Sequence, residues 1–242
     1  MEENLFKASA LYESFPTIIA QLPITLEIAV ISAALGLAIG FLIAIIKIYK
    51  ICGLQQLCTF YVSFMRGTPQ LVQLFLSYYG LPLIIKEINY AWGLQIDING
   101  IPAIAYVFIA FGLNEAAYNS ETIRAAILSV DLKEIEAAKS IGMSRMQMMR
   151  RIILPKALVV AVPNLGNSFI SLLKGTSLAF TVTVMDIMGA AKMITGRNMR
   201  FFEVYIMVAI VYWVCCIAIE FFIHYLEKKL DINERFIQST KE

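Results

Sequence analysis

The sequence predicts an all-α polytopic membrane protein, a single transmembrane domain crossed by five helices. Three observations carry this. Of 242 residues, 59% are apolar and 16% charged, against roughly 25% charged in an ordinary soluble domain. Mean hydropathy is +0.72. The apolar residues fall in continuous runs close to the 20 or so that a membrane helix needs. The alternating short strands of a β-barrel are not seen. This composition excludes a disordered chain and a disulfide scaffold, and argues against a water-soluble enzyme. A formal net charge of +2 does not mark nucleic acid as a partner. One His and four Cys have no ligand spacing, so no metal is expected, and no catalytic residue is expected either.

Runs free of Asp, Glu, Lys and Arg lie at 28–46, 67–85, 98–114, 157–173 and 204–219. Extended to their polar borders, they give approximate spans at 17–47, 60–86, 98–128, 157–185 and 203–226. In the first, Gly36 and Gly40 form a G-x-x-x-G that lets backbones approach; packing within the subunit is preferred over a dimer seam. Glu27 reads as an outer-interface residue. The second has Arg66 at its inner border, before an expected kink at Gly67-Thr68-Pro69. Arg66 reads first as a snorkelling side chain and second as a pathway residue.

The third span holds Asn114, Glu115 and Tyr118. Charge inside a membrane is expensive and marks function, so Glu115 could meet a substrate ammonium. Glu121 and Arg124, three apart, are expected to pair. In the fourth span, Lys174 with Thr176 and Ser177 could bind a carboxylate; a structural contact at a helix break is the other reading. In the fifth, His224 is expected to pair with Glu220. Tyr90, Trp92 and Tyr106 read as interfacial anchors. The cysteines are expected to be reduced.

Orientation follows from Lys and Arg. Residues 47–50, 131–156 and the tail after 226 hold 12, against 5 in the other connections. The positive-inside rule then places the N-terminus outside and the C-terminus in the cytoplasm. No cleavable signal peptide is expected, because the first 16 residues carry three Glu and the first apolar run is too long for one.

The most polar stretch, 131–155, lies on the cytoplasmic side. Asp131 with Glu134 reads as one helix-capping pair, and Ser144 with Gln147 as a second. Gly142 suits the left-handed position between the two short helices, and Pro155 is expected to end or kink the second. Ala137, Ala138 and Ile141 form a small apolar face. Met143, Met146, Met148 and Met149 follow, with flexible thioethers suited to a surface that repacks. Arg145, Arg150 and Arg151 could meet acidic groups or lipid headgroups. A helix resting on the membrane fits the pattern equally well.

Glu136-Ala137-Ala138, three residues, Gly142, nine residues, then Ile152-x-Leu154-Pro155 match the EAA-x3-G-x9-I-x-L-P signature at every position. The chain thereby resembles the membrane permeases of ATP-binding-cassette importers. Arg66-Gly67-Thr68-Pro69-Gln70-Leu71-Val72-Gln73 with Tyr78-Tyr79-Gly80-Leu81-Pro82, Ala117-Tyr118-x-x-Glu121-x-x-Arg124, and Leu173-Lys174-x-Thr176-Ser177-Leu178 are similar to the histidine/glutamine subfamily of polar amino acid permeases. Gly175 departs from that pattern, where the subfamily commonly has Asp. The resemblance covers about residues 16–235.

That resemblance implies a type I importer-like core in a bacterial plasma membrane, working as a dimer with itself or a paralogue. It implies two ATPase subunits beneath and an extracytoplasmic substrate-binding protein. The 131–155 segment would be the coupling helix that docks on the ATPase through Glu136, Ala137, Ala138, Ile141, Gly142, Met143, Arg145, Leu154 and Pro155. ATP and Mg would belong to the ATPase, since no phosphate-cradling G-x-x-x-x-G-K-[ST] is present here. The substrate class would be polar amino acids, with cystine one candidate. The alternative is an ion-coupled secondary carrier, which would need paired inverted repeats that this chain does not display. A non-transporting scaffold would not need ionisable groups in several spans.

Overall fold

The computed structural model describes residues 6–230, and every regular element among them is helical. Arg235 and Lys241, which contribute to the orientation argument, and Glu2 and Glu3 of the signal-peptide argument lie outside the described residues. Helix α1 (Ala8–Ile19) turns directly into α2 (Leu22–Ile48). Pro23 opens α2, where its missing N–H leaves no intrahelical bond unmade.

The second expected span, 60–86, is not one helix. It divides into α3 (Leu54–Gly67), α4 (Gln70–Phe75), a π segment (Leu76–Gly80) and α5 (Leu81–Trp92). The break is at Thr68, extended at φ −116° and ψ 147°, because the residue before a proline is excluded from the helical region. The stretch able to cross a membrane is Gln70–Trp92. Pro82 lies in the first turn of α5, so the carbonyl a turn earlier has no N–H to accept from, and the π segment absorbs the mismatch. Pro155 repeats the arrangement. The π segment Met149–Ile153 precedes it, and the helix runs through from α8 (Arg145–Met148) to α9 (Leu154–Gly175) instead of ending there.

Among the described residues, four stretches are long and apolar enough to cross a membrane: Leu22–Ile48, Gln70–Trp92, Arg145–Val182 and Phe201–Lys229. The third expected span forms α6 (Ala103–Leu128), 26 residues long. Glu115, Glu121 and Arg124 make it less apolar, and it takes the centre of the bundle, against α2, α3, α4 and α9. Arg145–Val182 is 38 residues of continuous helix. At about 1.5 Å per residue it exceeds a bilayer core of about 30 Å, so part of it lies beyond the hydrocarbon. It closes in a 3-10 turn, Thr176–Val182.

Helix α10 (Ile187–Asn198) lies in a stretch that reads, by its cations and short length, as a loop. Asp186 caps it, accepting from Gly189 N at 2.8 Å, and Met199 ends it in the left-handed region. Ile187 and Ala191 bury against Ile18 of α1 and Val204 and Val208 of α11 (Phe201–Leu230).

The tightest seam joins α2 to α6. A Cβ on Gly36 would stand 2.5 Å from Glu115 Cβ, and one on Gly40 would stand 3.0 Å from the Ala116 carbonyl oxygen. The G-x-x-x-G therefore packs inside the subunit. Trp213, Phe221 and Phe222 of α11 are exposed, as on a face meant for lipid or another chain. Tyr90 and Trp92 are also exposed, but Tyr106 is buried with its ring edge-on to Tyr78, so it is core and not an anchor. The four cysteines are unbridged.

Candidate translocation site and coupling surface

Against the α2–α6 seam lies a polar cavity of about 450 Å³, walled by α6, by α9 and by the Thr68–Gln70 break. Glu115 is the one ionisable carboxyl lining it among the described residues. That carboxylate is 6% exposed, held in place because Gly36 removes the side chain that would displace it. Around it stand hydroxyls and amides: Asn114, Tyr118 and Thr122 from α6, Thr68 and Gln70 from the break, and Asn164, Asn167, Ser168 and Ser171 from α9. Among the described residues, no Lys or Arg lines it. A wall with one acid and many neutral donors and acceptors suits a ligand bearing an ammonium and further hydrogen-bonding groups.

Buried Gln73 organises the break. Its Nε2 donates to Met65 O at 2.7 Å and to Thr68 Oγ1 at 2.8 Å, while its Oε1 accepts from Asn114 Nδ2 at 2.9 Å. Thus the bent backbone and the cavity wall share one amide. Gly175 leaves a space that Gln70 fills; a Cβ there would stand 3.0 Å from Gln70 Oε1.

Of the residues expected on the pathway, the structure brings Asn114, Glu115 and Tyr118 together. It does not bring Lys174, Thr176 or Ser177 to the cavity. Thr176 is buried, donates to Leu173 O at 2.7 Å and stands 3.4 Å from Tyr212 Oη; Ser177 donates to Lys174 O. These hydroxyls cap carbonyls where α9 tightens into the 3-10 turn, which is the structural-contact reading. Arg66 borders a neighbouring hollow, its guanidinium carbon 5.3 Å from the Tyr118 ring centroid. Glu121 pairs with Arg124 at 2.7 Å and also with Lys47. His224 pairs with Glu227 at 3.4 Å, not with Glu220, because a three-residue step towards the C-terminus brings the nearer carboxylate.

Asn164, Asn167, Ser168 and Ser171 were missed by charge-based reading. Their signal is a polar stripe at helical spacing through an otherwise apolar helix.

The second candidate surface is the 131–155 segment. Asp131 accepts from Lys133 N and begins α7 (Leu132–Ser140). Gly142 takes the left-handed conformation at φ +82°, between the two short helices. Ser144 and Gln147 then form a reciprocal capping box. Glu134 pairs with Lys156, tying α7 back to α9. The small apolar face divides. Ala138 and Met148 turn inward and are buried, whereas Leu132, Ile141 and Met146 are 72%, 80% and 67% exposed. Glu136, Ala137, Gly142 and Arg145 are exposed, Leu154 is 44% exposed, and Met143 and Pro155 are half-buried. Exposed apolar side chains on a projecting polar segment are what a docking surface offers.

The fold, the cavity and this projection together define a membrane translocation component that is worked from another polypeptide. Residues 36–232 match the family described as binding-protein-dependent transport system inner membrane component, and the chain belongs to that family. It is similar to a probable amino-acid permease protein, YxeN, of Bacillus subtilis (strain 168), 46% identical over 84% of this chain and 87% of that one. The L-cystine transport system permease protein TcyL of the same organism is 40% identical over 96% of this chain and 95% of that one. A solved amino acid ABC transporter with histidines matches at a TM-score of 0.79 and 31% identity, covering 93% of this chain and 99% of the other. The inward-facing MetNI methionine transporter, at 18% identity and a TM-score of 0.64, shares the fold. The chain is thus a multi-pass, non-enzymatic permease subunit of an ATP-binding-cassette importer, not a secondary carrier. Its ATPase is a separate subunit, and membership of the family brings an ATPase and a substrate-binding protein as partners.

Proposed function

We propose that this permease carries a polar amino acid into the cell, and that the cavity beside Glu115 is its station within the membrane. The observation that carries this is the pairing of one buried carboxylate with a wall of neutral amides and hydroxyls. Glu115 takes the ammonium common to amino acids. Asn164, Asn167 and Gln70 read the remaining polar atoms. A second negative charge on the side chain would meet Glu115 without a compensating cation, so neutral and basic side chains are favoured; cystine, the substrate named for one relative, fits this class.

The subunit works as a pair, with a copy of itself or a paralogue. The 131–155 segment faces the cytoplasm with the C-terminus, and the N-terminus lies outside. ATP and Mg stay on the ATPase. Nucleotide moves the permease only through its different affinity for the two conformations, transmitted by the exposed apolar side chains of α7 and α8. The reading is tested by reconstituting the complex with its ATPase and measuring amino acid binding and uptake for the parent and Glu115→Gln. Binding should weaken on the order of tenfold or more without loss of assembly, as for a lost charge-assisted contact. Unchanged binding in Glu115→Gln would place the substrate elsewhere.

A further inference from the structure

Two hollows share α6 as a wall. One is the 450 Å³ cavity of Glu115. The other, of about 550 Å³, is bordered by Lys47, Ser63, Arg66, Gly67 and Glu121, towards the end from which the coupling segment springs. Tyr118 is the one side chain that lines both. Arg66 stands over its ring at 5.3 Å. We propose that the Tyr118 ring is the inner partition of the substrate cavity and that Arg66 is the latch that holds it there.

The charges around the second hollow explain why Arg66 is available. Lys47 and Arg124 both pair with Glu121, which satisfies that carboxylate. Arg66 has no ion pair or hydrogen bond among the described residues; the ring is its partner. A guanidinium on a ring at an accessible site is weakly held, so the contact can break and re-form in each cycle. A substrate carboxylate passing inward is a stronger partner for the guanidinium than the ring. Release therefore draws Arg66 off Tyr118. The latch is also joined to the cavity through backbone, because Gln73 links Asn114 to Met65 and Thr68, the residues on either side of Arg66-Gly67. Arg66 is thus a positioning residue, neither merely a snorkelling side chain nor part of the substrate's first contacts.

This inference rests on the cavity being the substrate station, but its test reads access and is indifferent to which amino acid is carried. Ser168→Cys, on the cavity wall, serves as reporter after Cys52, Cys58, Cys215 and Cys216 are replaced by serine. Inside-out membrane vesicles holding the complex with its ATPase are treated, in the presence of a non-hydrolysable ATP analogue that holds the inner side closed, with a membrane-impermeant methanethiosulfonate. Tyr118→Ala and Arg66→Ala should each speed labelling on the order of tenfold, the size of shift expected when the closed state loses its bias. Tyr118→Phe keeps the ring and should label at the parent rate. Labelling at the parent rate in both alanine variants overturns the proposal, and so does acceleration in Tyr118→Ala alone, since the guanidinium then latches nothing. Should Tyr118→Ala not assemble, Arg66→Ala decides by itself, because Arg66 is exposed and hydrogen-bonds to no other element. Failure of the substrate reading appears separately, as unchanged binding in Glu115→Gln.

Discussion

The α2–α6 seam and the 131–155 segment are held together by opposite means. In the seam, glycines bring two backbones into contact around buried Glu115, Asn119 and Ser120. Its order comes from tertiary packing, and sequence-local signals contribute little. In the projecting segment, few side chains are buried. Its order comes from local devices: the Asp131 cap, the left-handed Gly142 and the Ser144–Gln147 box. Polar groups buried between apolar helices need fixed partners, and the close seam supplies them. The segment leaves Leu132, Ile141 and Met146 exposed and is held by its own backbone.

The comparison breaks most visibly at Gly36. Gly36→Leu puts a Cβ 2.5 Å from Glu115 Cβ and further atoms beyond it. Overpacking typically costs 1–3 kcal/mol, or about that range and more when backbone must move. The variant should lose most folded protein, seen as a collapsed yield and a lowered Tm. Leucine at Gly142 should behave differently, since nothing lies within 4 Å of a Cβ there. Only the φ of +82° is strained, at about 1–2 kcal/mol for a residue with a Cβ. The spans should stay folded while stimulated ATP hydrolysis falls.

Ser144→Ala sharpens the contrast. Loss of the cap should cost about 1 kcal/mol locally, raising hydrogen exchange across α8 while the global Tm stays unchanged. A global change would mean that the segment is tied to the bundle more strongly than by its Glu134–Lys156 pair. The smallest effect is expected at Asp186, which lies between the last two spans. Burial, partly offset by the backbone N–H groups of Gly189 and Met188, raises its carboxyl above the usual carboxylate range. A raised value means the folded form holds the proton more tightly. Its contribution is therefore full at low pH and lost as pH rises through the raised value. Asp186→Asn should flatten that part of the Tm–pH profile, and an unchanged slope would contradict the assignment.

The same division decided what could be read from sequence. Local devices were largely legible residue by residue: the Asp131 and Ser144 caps, the left-handed Gly142 and the Glu121–Arg124 pair needed only spacing along one helix, but Glu134, read as the second half of the Asp131 cap, pairs with Lys156 instead. The all-helical, membrane-crossing class was legible in the apolar runs. What depended on facing directions was not. Ala138 and Ile141 both read as one small apolar face, yet one points into the bundle and the other out. Lys174, Thr176 and Ser177 resembled a carboxylate site because their types fit, but the hydroxyls bond carbonyls of their own helix. The kink at Gly67-Thr68-Pro69 was legible, but not that Thr68 ends one helix outright, so that the stretch able to cross a membrane begins only at Gln70. Helix α10 was invisible because it is short and cationic, and its apolar stripe faces α1 and α11.

Exposed apolar side chains on the 131–155 segment are proposed to couple this permease to its ATPase. Ile141→Asp tests it more cleanly than any change at Gly142, because Ile141 is 80% exposed and its replacement strains nothing within the subunit. ATP hydrolysis is measured in the reconstituted complex with its binding protein and a panel of amino acids, for the parent and for Ile141→Asp. The expected result is that one or a few neutral or basic amino acids stimulate the parent, and that Ile141→Asp abolishes the stimulation at an unchanged Tm of the permease. Full stimulation in Ile141→Asp would contradict the account, because the ATPase would then be docked somewhere other than on this face.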